Sequence, residues 1–346
     1  MINDPFSIKT HFPDPGSSLG SFPNAAHASG KAGPSFSDAD ALFPDEILRL
    51  PQLVRERSPL IHCITNYVTA CEVANIILAA GAAPVMADHP DEAADVASHS
   101  DCLLLNFGTL KETSAAAMSR AGKKAGELGL PLILDPVGIG SSTYRTSSIL
   151  NVLSQVRPAV IRGNASEIKR LYMELACKTA AGCKTPSPQI QDSPRGVDAS
   201  MQDRMTQTNI TPLAGAARGL SEITGAVVVM TGETDLVTFG DKTMLIRNGC
   251  PMMSRITGSG CMLDGIIAAY VTTAILSAAS ATKSTQTAII SATALAVSAA
   301  GLCGELACRK VEERSEGTGS FLRYFTDYVS LLDEETLKRG MKIEIQ

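Results

Sequence analysis

The run Arg255-Ile-Thr-Gly-Ser-Gly-Cys261 carries the most suggestive chemistry in this chain. Gly258 and Gly260 let the backbone turn so that successive N–H groups face one point. The long apolar stretch behind them reads as a helix whose N-terminus adds partial positive charge. That geometry attracts an anion. If the anion is a phosphoryl group in transfer, the side chain of Cys261 stands where an attacking hydroxyl loses its proton. The helix N-terminus would lower the thiol pKa there, with nearby phosphates opposing it. A glycine turn of this length is more often a plain helix start, so other residues must decide.

Several of them fall at the ends of apolar runs. Asp135 closes Leu132-Ile-Leu-Asp and precedes Pro136; a carboxylate there either holds Mg²⁺, usually through water, or simply starts a turn. Arg162-Gly-Asn-Ala-Ser-Glu167 sets a guanidinium at a strand end and a carboxylate in the first turn of a helix. Arg162 suits ATP phosphates and Glu167 a second metal-water contact; the plainer reading has Asn164 capping the helix and Glu167 complementing its dipole. Thr231-Gly-Glu233 presents a hydroxyl at a turn, for phosphate or for the turn itself. Met86 reads as packing, although its backbone at a strand end suits a heterocycle nitrogen. His62 lies inside a strand, which favours a satisfied core histidine over a catalyst.

These positions need a scaffold, and the sequence supplies a repeating one. Short apolar runs at 60–64, 84–87, 101–106, 132–135, 159–162 and 226–230 alternate with helical patterns near 68–80, 90–99, 112–128, 145–154, 165–176 and 212–223. Strands apolar on both faces, separated by helices, predict an α/β fold with a largely parallel sheet covered on both sides. Val237–Phe239 and Thr243–Arg247 around Gly240-Asp241 predict a hairpin at one end of that sheet, followed by helices near 259–280, 284–308 and 320–336. Ligands bind beyond the carboxyl ends of strands in open parallel sheets. Thr65-Asn66, Met86–Asp88, Asn106–Thr109, Asp135–Gly138, Arg162–Asn164 and Thr231–Glu233 would all gather there.

The bulk numbers narrow the partners. The chain has 346 residues, a formal net charge of −5, no tryptophan and 4% aromatics, so its core must come from Ala, Leu, Ile and Val. No basic block suggests a nucleic-acid groove or an anionic membrane surface, which leaves a small molecule. Nine cysteines without a CxxC pair fit neither a disulfide framework nor a zinc site and point to a reducing compartment. Residues 1–44, rich in Ser, Pro and Gly, read as a disordered extension lacking signal- or transit-peptide character, hence a cytoplasmic protein. Residues 45–340 read as one domain, with 177–210 an inserted surface loop. The uncharged stretches 265–282 and 284–304 contain much Ala, Ser and Thr, and read as buried helices rather than membrane spans.

Taken together, His62-Cys-Ile-Thr-Asn66, Gly81–Asp88, Leu105-Asn-Phe-Gly-Thr109, Leu134-Asp-Pro-Val-Gly138, Ile161–Glu167, Thr231-Gly-Glu233 and Thr257-Gly-Ser-Gly-Cys-Met262 resemble hydroxyethylthiazole kinase. The resemblance runs in order from about 58 to 336. It implies a ribokinase-like fold and ATP-dependent phosphorylation of the primary alcohol of 4-methyl-5-(2-hydroxyethyl)thiazole in thiamine salvage. It also implies thiazole contacts at Met86 and Gly258, with Asn66 near the substrate, and ATP contacts at Arg162, Thr231 and Gly260. Asp135 and Glu167 would sit by Mg²⁺, Cys261 would hold the catalytic position, and the protein would form a homotrimer with sites between subunits. The chain departs from the pattern in its 1–44 extension, its 177–210 insertion, Ser259 where Thr is usual, and Asp264 where a small residue is common. Asp264 lies one turn beyond Cys261, where it would raise the thiol pKa or serve as an alternative base. The other readings are a kinase for another vitamin alcohol, such as a hydroxymethylpyrimidine or pyridoxine, a hydrolase using Cys261 and His62, and a non-catalytic thiazole- or nucleotide-binding protein.

Overall fold

Alternation within each strand builds the two cores. A computed structural model describes residues 42–179, 210–278 and 285–346. Strands β1 (Leu60–Ile64), β2 (Ala83–Val85), β3 (Cys102–Asn106), β4 (Leu132–Asp135), β5 (Val160–Asn164) and β6 (Val227–Thr231) run parallel. Successive side chains point to opposite faces of a sheet. Ile61, Cys63, Leu104, Ile133, Val160, Val227 and Val229 thus enter one core, while Ile64, Leu103, Leu105, Leu134, Ile161, Val228 and Met230 enter the other.

Helices cover both faces. Helices α1 (Leu50–Arg57) and α2 (Ala70–Ala80) contribute to the first core; α3 (Ala93–Ser98), α4 (Glu112–Leu128), α5 (Thr143–Leu153), α6 (Ala165–Thr179) and α7 (Ile210–Thr224) line the second. Strands β7 (Asp235–Phe239) and β8 (Lys242–Ile246) form the expected hairpin. Then come α8 (Ser259–Ala278), α9 (Thr285–Arg314), α10 (Thr318–Leu331) and α11 (Glu334–Gly340), all of which pack into the first core with α1 and α2, α11 through Leu337. Both α8 and α9 are long and apolar enough to cross a membrane, but their most apolar windows are 72% and 94% buried within the protein. Their apolar surface packs on the sheet and on other helices instead of facing out.

The strand order is β2-β1-β3-β4-β5-β6-β7-β8-β9, with β7, β8 and β9 (Ile343–Ile345) antiparallel. From β1 the chain turns outward to β2, then returns to β3 on the other side. Carboxyl-end loops diverge at such a reversal and leave a crevice, the usual ligand position of an open α/β sheet. The short strand β9 was absent from the expected pattern, because the alternation Ile-Glu-Ile is too brief to register. Other helix ends differ by a few residues; α9 runs six residues beyond the expected 308, to Arg314. The expected extension 1–44 lies almost wholly outside the described residues, as does most of the 177–210 insertion, of which 177–179 continue α6 and Ile210 opens α7.

Candidate active site

At the β1/β3 reversal, three amide and thiol groups meet. Asn66 follows β1 and its Oδ1 accepts from the backbone N–H groups of Val68 and Thr69 at 3.1 and 3.2 Å, which fixes the approach to α2. Its Nδ2 donates to Asn106 Oδ1 at 3.1 Å and to Cys261 Sγ at 3.4 Å. Asn106, the last residue of β3, donates to Asp135 Oδ2 at 2.8 Å, Cys261 Sγ at 3.4 Å and Asp264 Oδ2 at 3.4 Å, while Gly108 N donates to its Oδ1 at 3.0 Å. Asn106 therefore joins three strands' worth of site chemistry in one buried side chain. Sequence reasoning placed it at a strand end without giving it a role; the signal was a polar residue closing an otherwise apolar strand.

The charged half of the site lies at the ends of β4 and β5. Arg162 Nη1 pairs with Asp135 Oδ2 at 3.1 Å, its Nη2 donates to Thr231 Oγ1 at 3.2 Å, and its Nε stands 3.9 Å from Asp264 Oδ1. Burial works against the charge on Arg162, but Asp264 and Asp135 outweigh it and hold the guanidinium protonated. Burial pushes the Asp135 carboxyl well above the usual carboxylate range, and Asp264 adds to this while Arg162 opposes it. The Asp264 carboxyl is likewise raised by burial, against Arg162.

Glu167 satisfies both of its plainer expectations. Its Oε2 accepts from Asn164 N at 2.8 Å and Asn164 Oδ1 accepts from Glu167 N at 3.0 Å, a reciprocal cap at the start of α6. Its Oε1 accepts from Gly138 N at 2.8 Å, tying the β4–α5 loop to α6. Burial, helped by Asp135, raises its carboxyl to about 7. Arg145, near the start of α5, ties this loop to the one after β3 by donating to the carbonyls of Val137 and Phe107.

The glycine turn is built differently from the two-glycine expectation. Gly258 is left-handed, at φ 79°, and a Cβ there would meet Thr69 Cγ2 at 2.6 Å. Gly260 has no such backbone; a Cβ on it would overlap the Arg162 guanidinium. One glycine is demanded by the turn and the other by close approach. Helical bonding starts with Met262 N donating to Gly258 O at 2.8 Å, so the amides of 259–261 stand at the open N-terminal end of α8.

Cys261 overturns one expectation. Its thiol is not lowered by the helix N-terminus: burial, then Asp135 and Asp264, raise it to about 11. The helix end supplies only about half a positive charge. Desolvation and two carboxylates outweigh it. The expected effect of Asp264 is therefore the one observed, and the thiol is protonated at neutral pH. His62 is a buried core residue, donating from Nε2 to Ala87 O at 2.7 Å, and burial lowers its pKa.

The fold thus brings Asn66, Asp135, Arg162, Glu167, Thr231, Gly260 and Cys261 into one network, with Gly258 packed beside it on Thr69. Met86 lies outside the network, 39% exposed at the end of the β2 segment. As for a metal, Asp135 Oδ1 is buried without a hydrogen-bond partner, a hard anionic oxygen suited to Mg²⁺. Both Glu167 oxygens already accept backbone N–H groups, so Glu167 fits a role through water better than direct ligation.

The model of the "Hydroxyethylthiazole kinase family" matches residues 52–335. A hydroxyethylthiazole kinase of Clostridium acetobutylicum is 40% identical over 291 residues, covering 84% of this chain and 96% of that protein. One from Desulfovibrio desulfuricans is 39% identical, covering 81% and 91%. The solved hydroxyethylthiazole kinase structure from Pyrococcus horikoshii superposes with a TM-score of 0.67 at 28% identity, covering 87% of this chain and 99% of that one. The α/β sheet described above is accordingly the ribokinase-like fold. A match of this extent shows that the protein belongs to the hydroxyethylthiazole kinase family.

Proposed function

We propose that this protein transfers the γ-phosphoryl group of ATP to the primary alcohol of 4-methyl-5-(2-hydroxyethyl)thiazole, in thiamine salvage. One observation carries the reading beyond family membership: Cys261, Asn66 and Asn106 meet at the mouth of a helix N-terminus, directly beside Arg162 and Asp135. The alcohol belongs at the amide and thiol groups, and the phosphates belong at the amides of 259–261, Arg162 and Thr231. Mg²⁺ held at Asp135, with Glu167 through water, supplies charge neutralisation for the polyphosphate.

A loose phosphoryl-transfer transition state needs little prior removal of the alcohol's proton, so positioning and charge stabilisation carry most of the rate. That suits the thiol found here. With its pKa raised to about 11, the Cys261 thiol keeps its proton in the free protein; it can hold and orient the hydroxyl, whose proton leaves only late, to an oxygen of the transferred phosphoryl group. The same value speaks against a covalent hydrolase, which needs a thiolate, and His62 is committed to Ala87.

We further propose a homotrimer with sites between subunits. Tyr67 and Val68, next to Asn66, are exposed apolar side chains at 68% and 53%, and Met86 after β2 is exposed at 39%. Exposed apolar side chains of this kind suit cover by a neighbouring subunit. One catalytic domain over 45–340, a small-molecule partner and a cytoplasmic setting complete the reading.

The test is ADP release with Mg-ATP and, in turn, the thiazole alcohol, a hydroxymethylpyrimidine, pyridoxine and no acceptor. Thiazole-dependent ADP is expected. Turnover on another alcohol alone would replace the substrate, and silence with all of them would favour a binding protein.

A further inference from the structure

Asp264 has no part in the reaction as proposed, yet it is fully buried at the centre of the site. It and Asp135 show matching oxygens. The Oδ2 atoms of both accept from Asn106 Nδ2, and that of Asp135 also pairs with Arg162. The Oδ1 atoms of both are buried and have no hydrogen-bond donor among the described residues. Buried carboxylate oxygens without donors are costly and call for a cation or another compensating group. Arg162 is a single positive charge between Asp135, Asp264 and nearby Glu167, and its Nε approaches Asp264 Oδ1 no closer than 3.9 Å.

One carboxylate oxygen each of Asp135 and Asp264 and the Cys261 sulfur lie within 4.8 Å of one another. Oxygens about 2.0–2.6 Å from one hard cation span a similar distance. The sulfur already accepts from the amides of Asn66 and Asn106, which leaves the oxygens as the ligands on offer. We propose that Asp135 and Asp264 together form a seat for a hard divalent cation, Mg²⁺ or Mn²⁺, that fills before any nucleotide binds. Nucleotide-borne Mg²⁺ commonly relies on one or two carboxylates plus substrate phosphates; a second carboxylate aimed at the first removes the need for the phosphates. The cation also masks negative charge that would otherwise repel an incoming polyphosphate. The inference deepens the metal assignment to Asp135 made above, and the binding itself requires no turnover.

The experiment is a Mn²⁺ titration of the whole protein without nucleotide, reading the free-ion signal by electron paramagnetic resonance. One Mn²⁺ per chain is expected, displaced by Mg²⁺. Asp264→Asn and Asp264→Ser should each weaken it by at least about 10-fold, since even outer-shell partners of a metal contribute about 10–100-fold; circular dichroism confirms that the variants fold, and Asp264→Glu should retain binding. Wild-type protein that takes no Mn²⁺ until ATP is added would overturn the proposal. So would Asp264 variants that bind like wild type, or binding lost in Cys261→Ser but kept in Asp264→Asn. If ADP release fails on every alcohol while this titration succeeds, the seat stands and the kinase reading falls; the opposite pair of results separates them the other way.

Discussion

Cys261 should react unusually slowly for a cysteine at a helix N-terminus, and the size of the effect can be worked out. Burial, Asp135 and Asp264 move its thiol from an ordinary 9.0 to about 11. At pH 8, below both values, two units reduce the thiolate population about 100-fold. A more basic thiolate is also a better nucleophile: a Brønsted slope of about 0.4–0.5 returns a factor of about 6–10 over two units. The net expectation is attack on a small disulfide reagent about 10–15-fold slower than for a thiol with the ordinary pKa, before any loss from restricted access. Mass spectrometry of digests after timed exposure to 4,4′-dithiodipyridine would follow Cys261 against exposed Cys71 in the same molecule. Asp264→Asn removes one of the two carboxylates and should speed the reaction at Cys261 while leaving Cys71 unchanged. Modification of Cys261 at or above the rate of Cys71 in the ligand-free protein would refute the electrostatic reasoning, because it would mean that the helix end prevails over the carboxylates.

Other outcomes follow from the same network. Glu167 has a folded-state value raised from 4.5 to about 7, so its contribution to stability is fully present below about pH 4.5 and is lost as pH rises through 7. That amounts to about 3 kcal/mol by linkage; the Tm of metal-free protein should fall between pH 5 and 8, and Glu167→Gln should flatten the decline. Arg162→Ala leaves Asp135 and Asp264 without their guanidinium and should cost about 3–5 kcal/mol in urea unfolding, with weaker ATP binding. Gly258→Ala forces a Cβ into a left-handed turn against Thr69 and should cost at least about 1–2 kcal/mol, read as a lower Tm. Cys261→Ala should lower kcat by up to about 10²-fold, the cost of a misplaced hydroxyl, with a smaller change in KM for the thiazole.

Much of this architecture was legible because strand ends are marked twice, by the close of an apolar run and by the polar residue that follows. Asp135, Arg162 and Thr231 were readable in that way, each closing or standing within a strand next to its parallel neighbour. Asp264 was readable from helical spacing alone, since three residues from Cys261 is one turn. Asn106 was harder: its importance comes from β3 lying beside both β1 and β4, a topological fact with no local mark in the sequence. The direction of the Cys261 shift was misjudged for a related reason. A helix N-terminus is visible in sequence, whereas the sum of burial and two carboxylates from different elements exists only in the fold. Gly260 shows the same limit, being required by a side chain almost a hundred residues away rather than by its own backbone.

The most direct measurement is ³¹P nuclear magnetic resonance of the protein with Mg-ATP and 4-methyl-5-(2-hydroxyethyl)thiazole. The account predicts a new phosphomonoester resonance that grows in step with ADP, is missing without the thiazole, and is lost or greatly slowed in Asp135→Asn. ADP accompanied only by inorganic phosphate, or no consumption of ATP by folded, metal-supplied protein, would contradict it.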